Sequence, residues 1–262
     1  MQAAATLQTG RSYRDIPTVR TRTVLREINQ GQVKCPTCKL QDRCLSEGLD
    51  AEAIRAINDA MTTRIRLRKG ETLFRAGDRF ASLYAIRSGS CKTVLLSEDG
   101  HDQVAGYHMP GEIIGTDGIG ADVHGCQAIA LEDMEVCVLP FERLAALSRQ
   151  NGRFQHNLHR LLSRELARER GLMMLLGTMD AEQRLATFLL DLSQRYRALG
   201  YSSCEFVLRM TREEIGSYLG LKLETVSRLF SRFQREGLLQ VQGREVKLLD
   251  QISVKRLLTC SD

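Results

Sequence analysis

The stretch from residue 64 to residue 140 constrains the fold most, because short β-prone runs alternate there with closely spaced glycines. The runs cover residues 72–74, 82–86, 91–96, 103–107, 126–131 and 135–139, and the glycines are Gly70, Gly77, Gly89, Gly100 and Gly111. Short strands separated by turn residues at such intervals are typical of antiparallel sandwiches and jelly rolls. Since the pattern becomes helical from Phe141 onwards, we expect an α+β chain that begins with an antiparallel β-roll or jelly-roll domain.

Composition narrows the class of protein. The chain has 262 residues, of which 43% are apolar, enough for a packed core in more than one domain. No stretch approaches the ~20 apolar residues that cross a bilayer, and the first residues lack the apolar core of a secretion signal. We therefore expect a cytoplasmic protein with no membrane partner. The net charge of +5 leans mildly towards a polyanionic partner.

A long amphipathic helix is predicted over residues 156–176, which are rich in Leu, Met, Arg and Glu. Its stripe of Leu162, Leu166, Glu169, Met173 and Leu176 follows heptad spacing, which is typical of a seam between two helices. The helix either lies on its own domain or pairs two chains, and its charged opposite face favours a homodimer. Because two copies of Glu169 would repel each other across this seam, we expect weak pairing unless something else supports it.

Residues 211–248 have the pattern of a winged helix-turn-helix. Thr211 and Glu214 form a predicted capping box, a turn containing Gly220 follows, and a second amphipathic helix covers residues 224–235. A predicted hairpin over residues 238–248 supplies the wing. The outer face of the second helix carries side chains suited to base edges and, further along, to phosphates. These candidate DNA contacts are Glu224, Thr225, Ser227, Arg228 and Arg232.

These patterns divide the chain into four parts. A leader and cysteine-rich segment spans 1–48, the β domain 49–152, the dimerisation helix 153–177 and the winged-helix domain 178–262. A predicted capping box at Asp180 and Gln183 opens the last part.

Three of the eight cysteines, Cys35, Cys38 and Cys44, lie within ten residues of one another on a polar segment. Soft thiolates at this density in a long chain without an export signal indicate a metal or cluster site. A cluster would need a fourth ligand from far along the chain, and position alone leaves Cys91, Cys126 and Cys137 open. A zinc-containing or thiol-redox regulator with the same cysteines is the alternative.

The chain resembles the FNR branch of the CRP/FNR superfamily of regulators from about residue 35 to residue 249. The similar stretches are GETLF at 70–74, SLYAIRSG at 82–89, EVCVLPF at 135–141, IGSYLGL at 215–221 and ETVSR at 224–228. In that family the fourth ligand precedes a short apolar–Pro–Phe run, which implies Cys137. The resemblance thus implies a 4Fe–4S cluster on Cys35, Cys38, Cys44 and Cys137 that oxygen degrades, after which the dimer separates.

The resemblance also implies partners. Glu224, Ser227 and Arg228 match the family's base-reading residues, which implies a palindromic operator with TTGAT-type half-sites. Lys222 departs from the small Thr expected there, and its charge would add a phosphate contact while losing a helix cap. The tip at residues 98–102 corresponds to a region that touches RNA polymerase in relatives, and the family carries an acid at the position of Glu169.

Two further classes are disfavoured. A cyclic-nucleotide site needs a basic residue after Gly111-Glu112 to hold the phosphate, yet residues 113–130 contain no Arg or Lys. No Gly-rich phosphate loop, nucleophile elbow or pair of catalytic carboxylates indicates an enzyme, and the five histidines are scattered without a ligand pattern.

Overall fold

The structure is a computed structural model that describes residues 26–28, 35–96 and 102–258. Nine strands form two antiparallel sheets in the N-terminal half, with orders β1-β2-β9-β4-β7 and β3-β8-β5-β6. They are β1 Arg26–Ile28, β2 Thr63–Leu67, β3 Thr72–Phe74, β4 Ser82–Ser88, β5 Cys91–Leu96, β6 Asp102–His108, β7 Ile113–Ile114, β8 Gln127–Ala130 and β9 Met134–Pro140. The predicted antiparallel β domain is therefore confirmed.

Apolar residues of both sheets meet in a core that contains Leu67, Phe74, Ile86, Ala128 and Val136. All six predicted strands are present with small shifts at their ends. Strand β2 had no prediction, because Arg64 and Arg66 alternate with Ile65 and Leu67 and make the run polar. In the sheet that alternation places Ile65 and Leu67 in the core.

Three helices follow or flank the β domain: α1 Ala51–Ala60, α2 Phe141–Gln150 and α3 Gly152–Thr178. Asp50 caps α1 as predicted, because its side chain accepts a hydrogen bond from the Ala53 amide at 2.8 Å. The long helix α3 begins earlier than the predicted residue 156, because Asn151 caps it and the buried Phe154 anchors its first turn.

The C-terminal domain contains α4 Ala181–Ala198, β10 Glu205–Val207, α5 Arg212–Leu219, α6 Leu223–Arg235, β11 Leu239–Gln242, β12 Glu245–Leu248 and α7 Gln251–Arg256. Both predicted capping boxes are present, at Asp180 with Gln183 and at Thr211 with Glu214. Gly220 has the positive φ of 64° that ends α5 and turns the chain into α6. The wing is a three-stranded sheet with the order β10-β12-β11, so β10 is an addition to the predicted hairpin.

The two domains share one apolar cluster, in which Val94, Val104, Tyr107 and Leu131 of the β domain join the core of the C-terminal domain. Met179 and Asp180 are the link between α3 and α4. No helix within the described ranges has the length and apolarity that a membrane crossing requires.

Candidate metal centre and nucleic-acid interface

Cys35, Cys38, Cys44 and Cys137 line one small cavity between the cysteine-bearing segment and the β domain. Cys35 opens a short 3-10 turn, and Cys44 follows a second one over Gln41–Arg43. Cys137 comes from β9, in the middle of a sheet. Apolar side chains complete the walls, among them Ile57, Met61, Ile86 and Leu139.

The remaining cysteines lie elsewhere. Cys91 and Cys126 are buried between the two sheets, where the Cys126 thiol donates a hydrogen bond to Asp117 at 3.4 Å. Cys204 is exposed in the C-terminal domain, and Cys260 lies outside the described residues. Among the described residues, Cys137 is thus the cysteine that joins the N-terminal three in one cavity.

Burial sets the protonation of these thiols. It raises the pKa of Cys35 to about 11 and that of Cys44 to about 12, and the neighbouring thiols add to both shifts. Burial also raises the pKa of Cys137, although Arg64 opposes the shift by a hydrogen bond and by its charge. Such thiols stay protonated at neutral pH unless a cation binds them, so metal binding here would release protons.

The donor set fits an iron–sulfur cluster. Within residues 35–96 and 102–258, no three His, Cys, Asp or Glu side chains converge on a point that a single metal ion could occupy. Four cysteines around one apolar cavity, with no His or carboxylate in its lining, are the ligands that iron–sulfur clusters use. A closed tetrahedral zinc site would need the sulfurs to converge more tightly than they do.

An arginine cluster that the sequence did not indicate lies beside Cys137. Glu135 pairs with Arg87 at 2.7 Å and with Arg64 and Arg66 at 3.4 Å each. Although burial alone would raise the pKa of Glu135, these guanidinium groups hold it below its usual range. The arginine cluster therefore keeps positive charge next to the Cys137 sulfur, where that charge would stabilise a thiolate.

The cysteine-bearing segment is attached to α3. The Asn157 amide donates hydrogen bonds to the carbonyl oxygens of Leu45 at 3.0 Å and Glu47 at 2.8 Å. Arg160 pairs with the Glu47 carboxylate at 2.6 Å. Leu45 is 2% exposed and packs in the apolar cluster that also holds Phe154 of α3. The position of the cysteines is thereby linked to the position of the long helix.

The predicted seam of α3 is largely open to solvent in the single chain. Leu166 is 53% exposed, Met173 is 65% exposed, Glu169 is exposed and Leu162 is half-buried. Leu176 differs, because it packs against the core of the C-terminal domain. The alternative, a helix lying on its own domain, describes the two ends of α3, where Leu158 and Leu175 are buried.

The polar face of α6 points outwards. Val226, Phe230 and Phe233 are buried, whereas Glu224, Ser227 and Arg228 are exposed. Thr225 is half-buried and accepts a hydrogen bond from Arg228 at 3.5 Å. Lys222 stands exposed at the N-cap of α6 and makes no side-chain cap, as its sequence position predicts.

Arg232 has different surroundings from those predicted. Its guanidinium pairs with Glu236 at 2.7 Å and with Glu182 of α4 at 2.8 Å. A phosphate contact by Arg232 would require those ion pairs to open, so its role on DNA stays a prediction.

Comparison with known proteins identifies both halves of the chain. The Crp-like helix-turn-helix domain matches residues 183–256, and the cyclic nucleotide-binding domain matches residues 64–151. The chain is 48% identical over 224 residues to the transcriptional regulatory protein btr of Bordetella pertussis, covering 86% of this chain and 93% of that protein.

The chain is also 39% identical over 227 residues to the fumarate and nitrate reduction regulatory protein of Escherichia coli, covering 86% of this chain and 91% of that protein. Among solved structures, FixK2 from Bradyrhizobium japonicum matches with a TM-score of 0.70 and 28% identity, covering 76% of this chain and 98% of that chain. These relatives are transcription regulators and not enzymes. With its β domain, long helix and winged helix-turn-helix, the chain belongs to the FNR type of the CRP/FNR superfamily of DNA-binding transcription regulators.

Proposed function

We propose that this regulator responds to oxygen through a 4Fe–4S cluster held by Cys35, Cys38, Cys44 and Cys137, and that it binds a palindromic operator as a homodimer to control genes of anaerobic metabolism. The observation that carries the proposal is the cavity that these four cysteines line together. When bound, the cluster supplies the redox chemistry that the chain itself lacks. The three steps that follow, from segment ordering to DNA reading, depend on residues of the chain itself.

The first step is the ordering of the cysteine-bearing segment on α3. Asn157 and Arg160 bind the segment through Leu45 and Glu47, so a segment whose three cysteines share a cluster with Cys137 also holds the first half of the helix. A segment with free cysteines loses that restraint. The difference biases the position of the seam residues that follow on the same helix.

The second step is pairing through the seam of Leu162, Leu166, Glu169, Met173 and Leu176. The exposed Leu166 and Met173 favour pairing, while the two Glu169 carboxylates of a symmetric dimer oppose it. Because these effects nearly balance, a restraint worth a few kcal/mol is enough to shift the population from monomer to dimer.

The third step is DNA reading by two copies of α6. Arg228 can bind guanine O6 and N7, Glu224 can accept from cytosine N4, and Ser227 suits either role. Thr225, Lys222 and Arg232 are the further predicted contacts, of which Lys222 suits a phosphate. Contact of residues 98–102 with RNA polymerase stays a prediction that falls largely outside the described residues.

Anaerobic purification followed by exposure to air tests the proposal. We expect a brown protein with iron and sulfide in equal amounts, which sediments as a dimer and binds an operator labelled for fluorescence anisotropy. Air should bleach the colour, release monomer and abolish specific binding. A colourless protein with stoichiometric zinc supports the zinc-containing or thiol-redox alternative. A metal-free protein that still pairs and binds the operator contradicts the proposal.

A further inference from the structure

The C-terminal domain is docked on the β domain of the same chain. Helices α4 and α5 lie against strand β6 and the Met109–Glu112 turn. Three aromatic rings form the centre of this docking interface. The ring centroid of Tyr107 of β6 lies 5.9 Å from that of Phe188 of α4 and 5.0 Å from that of Tyr218 of α5. The Val104 amide donates a hydrogen bond to the Ser217 hydroxyl at 2.9 Å. The interface thus combines apolar packing with directed polar contacts.

A largely buried ion pair in the docking interface joins Glu112 to Arg195. One terminal nitrogen of Arg195 donates to both Glu112 oxygens, at 3.0 and 2.9 Å, and to the Tyr107 carbonyl at 2.7 Å. The Arg195 side chain is only 17% exposed. Arg168 of α3 pairs with the same carboxylate at 3.2 Å. Glu112 is therefore the point at which the β domain, α3 and α4 are held together.

The structural role of Glu112 accounts for the Gly111-Glu112 motif without any bound nucleotide. A cyclic-nucleotide site would use this motif together with a basic partner for the phosphate, and residues 113–130 contain no Arg or Lys. The carboxylate is instead saturated by arginines of this chain, because Arg195, Arg168 and the Met109 amide all donate to it. The motif acts within the protein as an anchor between domains.

The Glu112–Arg195 ion pair lies far along α4 from the link between α3 and α4, so it can restrain the orientation of α4. Helix α3 ends and helix α4 begins at the link formed by Met179 and Asp180. At 1.5 Å per residue, Arg195 lies about 22 Å along α4 from the N-cap Asp180. A displacement of about 1 Å at Arg195 corresponds to a rotation of α4 by only about 3° about its N-terminal end. A short, buried ion pair there therefore restrains the angle of the whole domain.

The docked arrangement leaves both functional faces accessible. Glu224, Ser227 and Arg228 are exposed on α6, and Leu166 and Met173 are exposed on α3. Docking therefore leaves uncovered the DNA-reading face and most of the predicted seam, although Leu176 at the end of the seam packs against the C-terminal domain. If docking inhibited DNA binding sterically, it would cover the DNA-reading face of α6 or the exposed residues of the seam.

We propose that the Glu112–Arg195 ion pair is a positioning lock that fixes the angle of the winged-helix domain, and through it the half-site separation for which the dimer is specific. This inference rests on the proposed homodimeric operator binding. Recognition helices of such dimers must meet successive major grooves about 34 Å apart. A domain that rotates freely would tolerate altered separations and lose affinity for the natural one.

Three variants test the lock. Glu112→Gln removes the ion pair on the side of the β domain, and Arg195→Gln removes it on the side of the C-terminal domain. The double variant removes both charges, so that neither partner is left as an unpaired buried charge. Asp191→Asn is the matched control: Asp191 also pairs with Arg195, but within α4, and its side chain is 56% exposed. Anaerobic operator affinity is measured with the natural spacer and with spacers one base pair shorter and longer.

We expect the two single variants to reduce the preference for the natural spacer about tenfold while the dimer stays intact. The double variant should resemble the single ones rather than add to them, because all three lose the same Glu112–Arg195 ion pair. Asp191→Asn should keep the parent's preference. An unchanged preference in both single variants, or higher affinity at every spacer, overturns the lock.

Hydrogen–deuterium exchange separates failure of the lock from failure of the proposed function. If the parent binds no operator, dimeric DNA binding is wrong, but the lock is still tested at the Val104 amide, which Ser217 protects. Faster exchange there in Glu112→Gln and Arg195→Gln, but not in Asp191→Asn, supports the lock. Exchange equal to that of the parent contradicts it.

Discussion

Cys126 is a buried and Cys137 a half-buried cysteine of the β domain, yet of these two only Cys137 reaches the cavity of the three N-terminal cysteines. We therefore expect Cys137→Ala to lose iron and sulfide, whereas Cys126→Ala keeps both, since its thiol contacts Asp117 in the core. Iron and sulfide per chain after anaerobic purification, with the visible spectrum, provide the measurement. Equal iron in Cys137→Ala and parent would exclude Cys137 as a ligand.

Arg228 and Lys222 are matched exposed cations near the start of α6, with different predicted targets. Arg228→Ala should cost about 1–3 kcal/mol on an operator with the cognate guanine and relax discrimination at that position. Lys222→Ala should weaken binding evenly across sequences and lower the salt slope by about two, one for each chain of the dimer. Anisotropy titrations at several salt concentrations on cognate and substituted operators distinguish the two. Identical profiles for both variants contradict the assignment.

At the scale of elements, the proposed balance between monomer and dimer depends on α3. Glu169→Ala removes the repulsion between paired carboxylates, so we expect a dimer that persists in air, with dimer affinity raised about tenfold. Sedimentation velocity in air is the measurement, and Glu52→Ala, an exposed glutamate of α1, is the control. A Glu169→Ala protein that stays monomeric in air counts against a repulsive seam.

The attachment of the cysteine-bearing segment to α3 makes a separate prediction. Arg160→Ala removes the 2.6 Å ion pair with Glu47 and lies outside the cysteine cavity. We expect the variant to bind iron like the parent but to dimerise several-fold more weakly under anaerobic conditions. Iron content and anaerobic sedimentation are measured on one sample, and Arg170→Ala, another exposed arginine of α3, is the control. Parallel loss of iron and dimer would instead indicate damage to the cavity.

At the scale of the whole molecule, buried charge near the docking interface makes stability depend on pH. Burial lowers the pKa of His108 to about 4, against the attraction of Glu112; Arg168, Arg195 and Asp117 are the other charged groups around it. Because the unfolded chain takes up this proton near its ordinary pKa of about 6.5, stability should fall as the pH drops from about 6.5 to about 4 and then level off.

The contribution of His108 can be isolated with His108→Gln, which does not titrate. We expect the parent to lose about 2 kcal/mol more than the variant between about pH 7.5 and about pH 5. Urea unfolding of protein purified in air, at about pH 7.5 and about pH 5, gives the difference. An equal loss in both proteins would mean that His108 is not buried in its neutral form.

Local sequence determined most of the elements. The capping boxes at Asp180 and Thr211, the turn at Gly220 and the glycine-punctuated strands are present as predicted, because each depends on contacts between residues a few positions apart. The segment Thr63–Leu67 was missed because its arginines hide the apolar alternation until Glu135 pairs with them.

Tertiary structure decided the contacts between distant residues. From the residues alone, Cys91, Cys126 and Cys137 were equivalent candidates, and resemblance rather than periodicity favoured Cys137. Only the register of β9 beside the N-terminal segment separates them. The ion pairs of Glu112 with Arg195 and of Arg232 with Glu182 had no sequence signal for the same physical reason. Periodicity and capping report on neighbours along the chain, whereas a charge finds its partner only after the domains have packed.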